Sequence, residues 1–117
     1  MIELKFKDRG VFASAFKVRW HPKLVDLLFS IEEEKLITCA YESRKYISLH
    51  SMEPLRAVDL RSYIYRDPKS LVDKINEEWI YNPNAPRRNV AIYHNVGRGR
   101  HIHLQVHDDT ERKKEVK

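Results

Sequence analysis

Apolar and charged positions alternate at the start of the chain, with Ile2, Leu4 and Phe6 set against Glu3, Lys5 and Lys7. A period of two predicts a β-strand over residues 2–7. The period changes after His21-Pro22, where the proline suits the first position of a helix. Leu24, Leu27, Leu28 and Ile31 then recur at i, i+3, i+4 and i+7 as one apolar stripe, which predicts a helix over residues 22–34. Residues 36–41 (LITCAY) are short, apolar and partly β-branched, as a buried strand should be. Residues 42–56 are polar and interrupted by Pro54, and read as a loop. AVDLR, residues 57–61, is a further strand. Asp67-Pro68 pairs an N-cap residue with a helix-starting proline, and Leu71, Val72, Ile75 and Trp79 give a helix over 68–80 its buried face. YNPNAPRRN is a long connection, residues 90–94 a strand, Gly97-Arg98-Gly99 a turn, and residues 101–106 (HIHLQV) the last strand. The short glycine turn predicts that the last two strands form an antiparallel hairpin. The expected fold is α+β: a small, mostly antiparallel sheet with two packed helices, formed by residues 1–108 as one domain, with residues 109–117 as a charged, frayed tail.

Composition narrows this picture without choosing a function. The chain has 117 residues, 42% hydrophobic and 33% charged, as expected of one globular domain with a modest core. Cys39 is the sole cysteine, so no intrachain disulfide can form. No run reaches the roughly 18 apolar residues of a membrane span. The first residues, MIELKFKDRG, hold no apolar stretch of the kind a secretory signal needs, so cytoplasmic synthesis is expected. The net charge of +5 and pI of about 9.4 suit polyanionic partners such as nucleic acid, cell wall or an anionic membrane surface. Charge alone does not select among them.

Two constellations carry candidate chemistry. In HIHLQV, His101 and His103 are two apart on a strand, so they share a face while Ile102 points to the other. In HSMEPLRAVDLR, Asp59 lies between Val58 and Leu60, where an unpaired carboxylate is costly. A cation, an arginine such as Arg56 or Arg61, or backbone donors would each satisfy it. His50 stands at the head of the same segment. Two histidines and one carboxylate make a zinc set that leaves a fourth position open. His94 is a candidate partner that orients a metal-bound histidine through its other nitrogen. His21 and His107 read as structural, and Trp20 and Trp79 as core anchors.

A loop histidine, a strand aspartate in an Ala-x-Asp context and a late His-x-His strand resemble the D-alanyl-D-alanine carboxypeptidase-like zinc peptidases of the Hedgehog/DD-peptidase fold. HSMEPLRAVDLR, INEEWIYNPNAP and HIHLQVH resemble more narrowly a group of short phage and prophage proteins of that type, over residues 21–108. The resemblance implies one zinc per chain, held by His50, Asp59 and His103. It implies hydrolysis of an amide bond in peptidoglycan stem peptides, of carboxypeptidase or endopeptidase type. With no secretory signal, the chain would reach the wall by a phage lysis system or virion. Family members often carry an acid three residues before the last ligand. Here that position is Arg100, so His101 is the expected general base, with Glu53 as a further candidate. An arginine that binds the substrate carboxylate often follows an aromatic residue in the family; Tyr41 is followed here by Glu42, and Arg44 can substitute. Arg56, Arg61 and Arg98 are the other candidates for an anionic peptide terminus.

Two other readings fit parts of the pattern. A zinc-binding module of the same fold without turnover agrees with Arg100 in place of an acid. A metal-dependent DNA nickase also uses His-hydrophobic-His, but its attacking tyrosine lies on a helix after the motif. Tyr63, Tyr65 and Tyr81 all precede His103, so no nucleic-acid substrate is expected.

Overall fold

The computed structural model describes residues 4–40, 53–95 and 100–113. The first strand, β1 (Leu4–Phe6), is followed by helix α1 (Arg9–Ala15), helix α2 (Pro22–Ser30) and strands β2 (Lys35–Cys39) and β3 (Ala57–Arg61). A 3-10 turn, Ser62–Ile64, leads into helix α3 (Pro68–Glu78). Strands β4 (Trp79–Ile80), β5 (Ala91–Asn95), β6 (Arg100–Gln105) and β7 (Glu111–Arg112) complete the chain. The main sheet runs β1-β2-β3-β6-β5, and β4 pairs with β7 in a small second ribbon. Only β1 and β2 are parallel within the main sheet; its other pairs are antiparallel. A parallel pair needs a crossover, and α1 and α2 supply it. The class is therefore α+β, with a mostly antiparallel sheet. Among the described residues no helix is long and apolar enough to cross a membrane.

The sheet has two distinct faces. Val58, Leu104 and Ala91 form one cross-strand row, and Leu60, Ile102 and Tyr93 the next. These rows pack with Leu24, Leu27 and Leu28 of α2 and Leu71, Val72 and Ile75 of α3 in a single core. The opposite face carries Ala57 with Gln105, Asp59 with His103 and Ile92, and Arg61 with His101 and His94. Alternation along β3 and β6 thus sends aliphatic side chains to the helices and polar ones to the other side. In β2 a bulge sets Ile37 opposite Leu60 and Cys39 opposite Asp59. A regular strand could not align residues two apart with consecutive partners, and the extra residue resolves this.

Helix boundaries depart from the sequence reading in three places. Helix α1 was not anticipated; Asp8 caps it, its carboxylate accepting from the Val11 amide at 2.9 Å. Helix α2 ends at Ser30 and does not reach residue 34. Ile31 turns to extended geometry and Lys35 opens β2 opposite Leu4; the buried Lys35 ammonium donates to the Ile31 carbonyl at 2.5 Å and the Glu33 carbonyl at 3.1 Å, carbonyls the ended helix leaves unpaired. Helix α3 ends at Glu78, because Trp79 and Ile80 take extended geometry to pair with Arg112 and Glu111. The tail expected to fray from residue 109 is thus tied down through residue 113, where the Lys113 amide donates to the Glu78 carbonyl at 2.8 Å. The expected loop over residues 42–56 lies mostly outside the described residues, and the turn at Gly97-Arg98-Gly99 wholly so.

Candidate metal and proton-transfer site

The site lies on the strands β3 and β6, which have neighbours on both sides and pair with each other in an unbroken ladder over residues 57–61 and 101–105. Asp59 of β3 and His103 of β6 are direct cross-strand partners. Such partners on an antiparallel pair have Cβ atoms about 4.5–5.5 Å apart, close enough to share a ligand. His103 Nδ1 lies 2.9 Å from Asp59 Oδ1. His101, two residues earlier on β6, places Nε2 at 3.7 Å from the same oxygen. All three side chains keep limited solvent access, with 15% of Asp59, 22% of His101 and 14% of His103 exposed. The aspartate that looked anomalous inside an apolar strand is thus answered by imidazoles rather than by Arg56 or Arg61.

A third imidazole closes the group from β5. His94 is the cross-strand partner of His101, with ring centroids 4.3 Å apart in an edge-to-face arrangement, and its ring lies 5.8 Å from that of His103. Its Nε2 is buried and has no hydrogen-bond partner among the described residues. Loss of solvation, and then the neighbouring His101 and His103, push its pKa below the usual 6.5.

Gln105 is the member of this site that sequence reasoning missed. It follows His101 and His103 on the same face of β6, with its amide oxygen 3.1 Å from His103 Nε2. The alternation that paired His101 with His103 extends to residue 105, so the signal was present. His103 thereby has Gln105 on one nitrogen and Asp59 on the other.

The remaining candidates are distributed as follows. Arg61 lies opposite His101, with its guanidinium carbon 5.0 Å from the Tyr63 ring centroid. Arg56 is not brought to Asp59; it shares the strand parity of Val58, and its Nη2 donates to Asp108 Oδ1 at 2.7 Å. His21 caps α2 by accepting the Lys23 amide at Nδ1, which leaves its Nε2–H to donate to the same Asp108 oxygen at 3.1 Å. Glu53 faces Arg19 at the surface, and His107 Nδ1 accepts the Asp109 amide. Trp79 is in the core and Trp20 packs at its margin. His50 and Arg44 lie outside the described residues, as does Arg98.

The donor set suits a borderline metal ion such as zinc, because it joins imidazole nitrogen to carboxylate oxygen. A proton between His103 Nδ1 and Asp59 Oδ1 would satisfy the same pair. Among the described residues no three His, Cys, Asp or Glu side chains form a complete metal-holding group; Asp59 and His103 are two donors of the expected three. Comparison with protein-family models, with curated proteins and with solved structures returned no match to this chain.

Proposed function

We propose that this chain is a zinc-dependent peptidase of Hedgehog/DD-peptidase type that hydrolyses an amide bond in peptidoglycan stem peptides. The observation that carries the reading is the pairing of Asp59 with His103 across the two central strands, with His103 Nδ1 and Asp59 Oδ1 2.9 Å apart. That contact joins residues 44 apart in sequence, and it is what supports the reading. His50, Asp59 and His103 are the proposed ligands. When bound, zinc supplies the Lewis acidity that polarises a carbonyl and acidifies water.

The chain's own residues then divide the remaining work. His101 shares the face of His103 and is 22% exposed, so it can take a proton from water and return it to the leaving amine. Arg61, beside it across the ladder, and Arg44 offer positive charge to the free carboxylate of a stem peptide. His94 packs edge-to-face on His101, with ring centroids 4.3 Å apart.

The test combines metal content with turnover. The purified protein is expected to hold about one zinc per chain, and Asp59→Ala and His103→Ala to hold none. His101→Ala should keep its zinc and lose about 10²–10⁴-fold in turnover. Turnover is read as chelator-sensitive release of amino groups from purified cell-wall peptides. Full zinc occupancy in both ligand variants would remove the assignment. Arg100, standing where related enzymes often carry an acid, favours a second reading: a zinc-binding module of this fold that binds wall peptides without cleaving them. A zinc-loaded protein that releases no amino groups at neutral or mildly alkaline pH would select it.

A further inference from the structure

We propose that Phe12, Phe16 and Phe29, with the cations beside them, form a docking surface for an anionic lipid bilayer. The surface begins on β1, where Leu4 and Phe6 alternate with lysines and turn toward the helices. Phe12 packs edge-on against Phe6, with ring centroids 5.3 Å apart, and Phe16 against Phe12 at 4.8 Å. On the other side, Leu4 shares a groove with Trp20, Val25, Leu28, Phe29 and Lys35. An apolar band therefore runs from Phe16 through Phe12, Phe6 and Leu4 to Phe29. Its outer members are open to solvent: Phe12 is 50% exposed, Phe16 73% and Phe29 59%. Scattered exposed apolar residues need no explanation, but a contiguous band marks an interaction site.

Charge selects the occupant. Residues 4–20 hold five lysines and arginines and one acid, Asp8, so this stretch carries +4 of the chain's +5. Asp8 is engaged as the cap of α1. Arg9 stands one turn before Phe12 on the same face of α1, and Lys17 follows Phe16. Lys7, Arg9 and Lys17 are exposed and make no ion pair among the described residues. A second copy of this chain would bring +4 against +4, which like-charge repulsion opposes. Nucleic acid would match the charge, but bases stack on open ring faces. Here Phe12 is crossed by Phe6 at 87° and by Phe16 at 61°. The polar ends at the margin of the band are engaged within the fold: the Trp20 indole donates to the Ala15 carbonyl at 2.7 Å, and the Lys35 ammonium to the Ile31 and Glu33 carbonyls. Rings without hydrogen-bonding groups, flanked by lysine and arginine, suit the boundary between acyl chains and anionic headgroups. The band lies on the helix side of the sheet, away from Asp59 and His103, so it is independent of the zinc reading.

The experiment uses the full chain and vesicles of equal parts phosphatidylglycerol and phosphatidylcholine, with pure phosphatidylcholine as the control. Co-sedimentation should show binding to the mixed vesicles that weakens as salt is raised, and binding to the control at least about tenfold weaker. The double variant Phe12→Ser/Phe16→Ser should lose about tenfold or more in affinity for the mixed vesicles. The triple variant Lys7→Gln/Arg9→Gln/Lys17→Gln should lose about fivefold per charge and most of the salt dependence. A third variant, Phe16→Trp, keeps the apolar surface and reports on it directly: relative to wild type its added emission should shift to the blue on mixed vesicles and be quenched by brominated acyl chains. It decides the question even where the serine variant fails to fold. Equal vesicle binding by wild type and Phe12→Ser/Phe16→Ser overturns the proposal, as does an indole at position 16 that brominated chains do not reach. Tighter binding to a single-stranded oligonucleotide than to vesicles, lost in the same phenylalanine variant, assigns the surface to nucleic acid instead. A concentration-dependent dimer lost in that variant assigns it to a second copy, and either result overturns the proposal.

Discussion

At Asp108, one carboxylate oxygen receives two donors from distant parts of the chain, Arg56 Nη2 at 2.7 Å and His21 Nε2 at 3.1 Å. The hydrogen bond from Arg56, then that from His21, holds the carboxyl below its ordinary value of 3.8. A carboxylate with a depressed folded-state pKa contributes stability that is present above its unfolded value and lost as the pH falls through the folded one. Asp108→Asn should therefore lower the melting temperature at neutral pH, and the gap to wild type should close as the pH drops below 3.8. A gap of constant size across that range, measured by thermal melts, would show that the contact does not act through charge. The same clasp gives Arg56, a candidate for an anionic peptide terminus by its sequence position, a carboxylate partner within the fold. A strand-flanking arginine beside a candidate aspartate looks available, and nothing local reveals a partner 52 residues later. Asp59, His101 and His103 were legible because their anomaly was local: a carboxylate between Val58 and Leu60, and two histidines one strand period apart.

Elements with a clean period were legible in the same way. The stripe of α2 begins at the proline where the pattern changes, and β3, β5 and β6 fall within a residue of the alternating or apolar runs that mark them. What the sequence hid were elements whose existence depends on a distant partner. β7 is two residues long and exists because Trp79 and Ile80 accept it. Helix α1 has seven residues, too few to repeat an apolar stripe. Near the end of the chain, Thr110 is 2% exposed. Its hydroxyl donates to the Tyr81 carbonyl at 2.7 Å and accepts the His107 amide at 2.8 Å. A charged neighbourhood gives no hint that a threonine there closes two buried backbone groups. Thr110→Val keeps the shape and leaves both groups unpaired, at about 1–3 kcal/mol each. Urea denaturation should show a lower midpoint with an unchanged slope. A midpoint equal to that of wild type would mean that water reaches both groups and that the terminal ribbon contributes little.

At the scale of the whole molecule, one sheet serves two purposes, and the two can be separated by experiment. Leu104 and His103 are adjacent on β6 and point to opposite faces, the leucine into the core with 0% exposure and the histidine toward Asp59. Leu104→Ala leaves a cavity between Val58 and Ala91 and should cost about 2–5 kcal/mol. For a domain of this size, that lowers the melting temperature by on the order of 10 °C. It leaves every polar group of the site in place. His103→Ala deletes a proposed ligand and leaves the core untouched. A ligand that binds only the folded state stabilises it by RT ln(1 + [L]/Kd), about 4 kcal/mol at a thousandfold excess over Kd. Zinc should therefore raise the melting temperature of wild type and of Leu104→Ala by similar amounts, bringing the cavity variant back toward metal-free wild type. It should leave His103→Ala where it was, and chelator should reverse the first two shifts. An equal zinc shift in His103→Ala would place the ion elsewhere on the molecule. A zinc shift lost in Leu104→Ala would show that the two faces of the sheet are mechanically coupled, so that packing behind β6 sets the geometry in front of it.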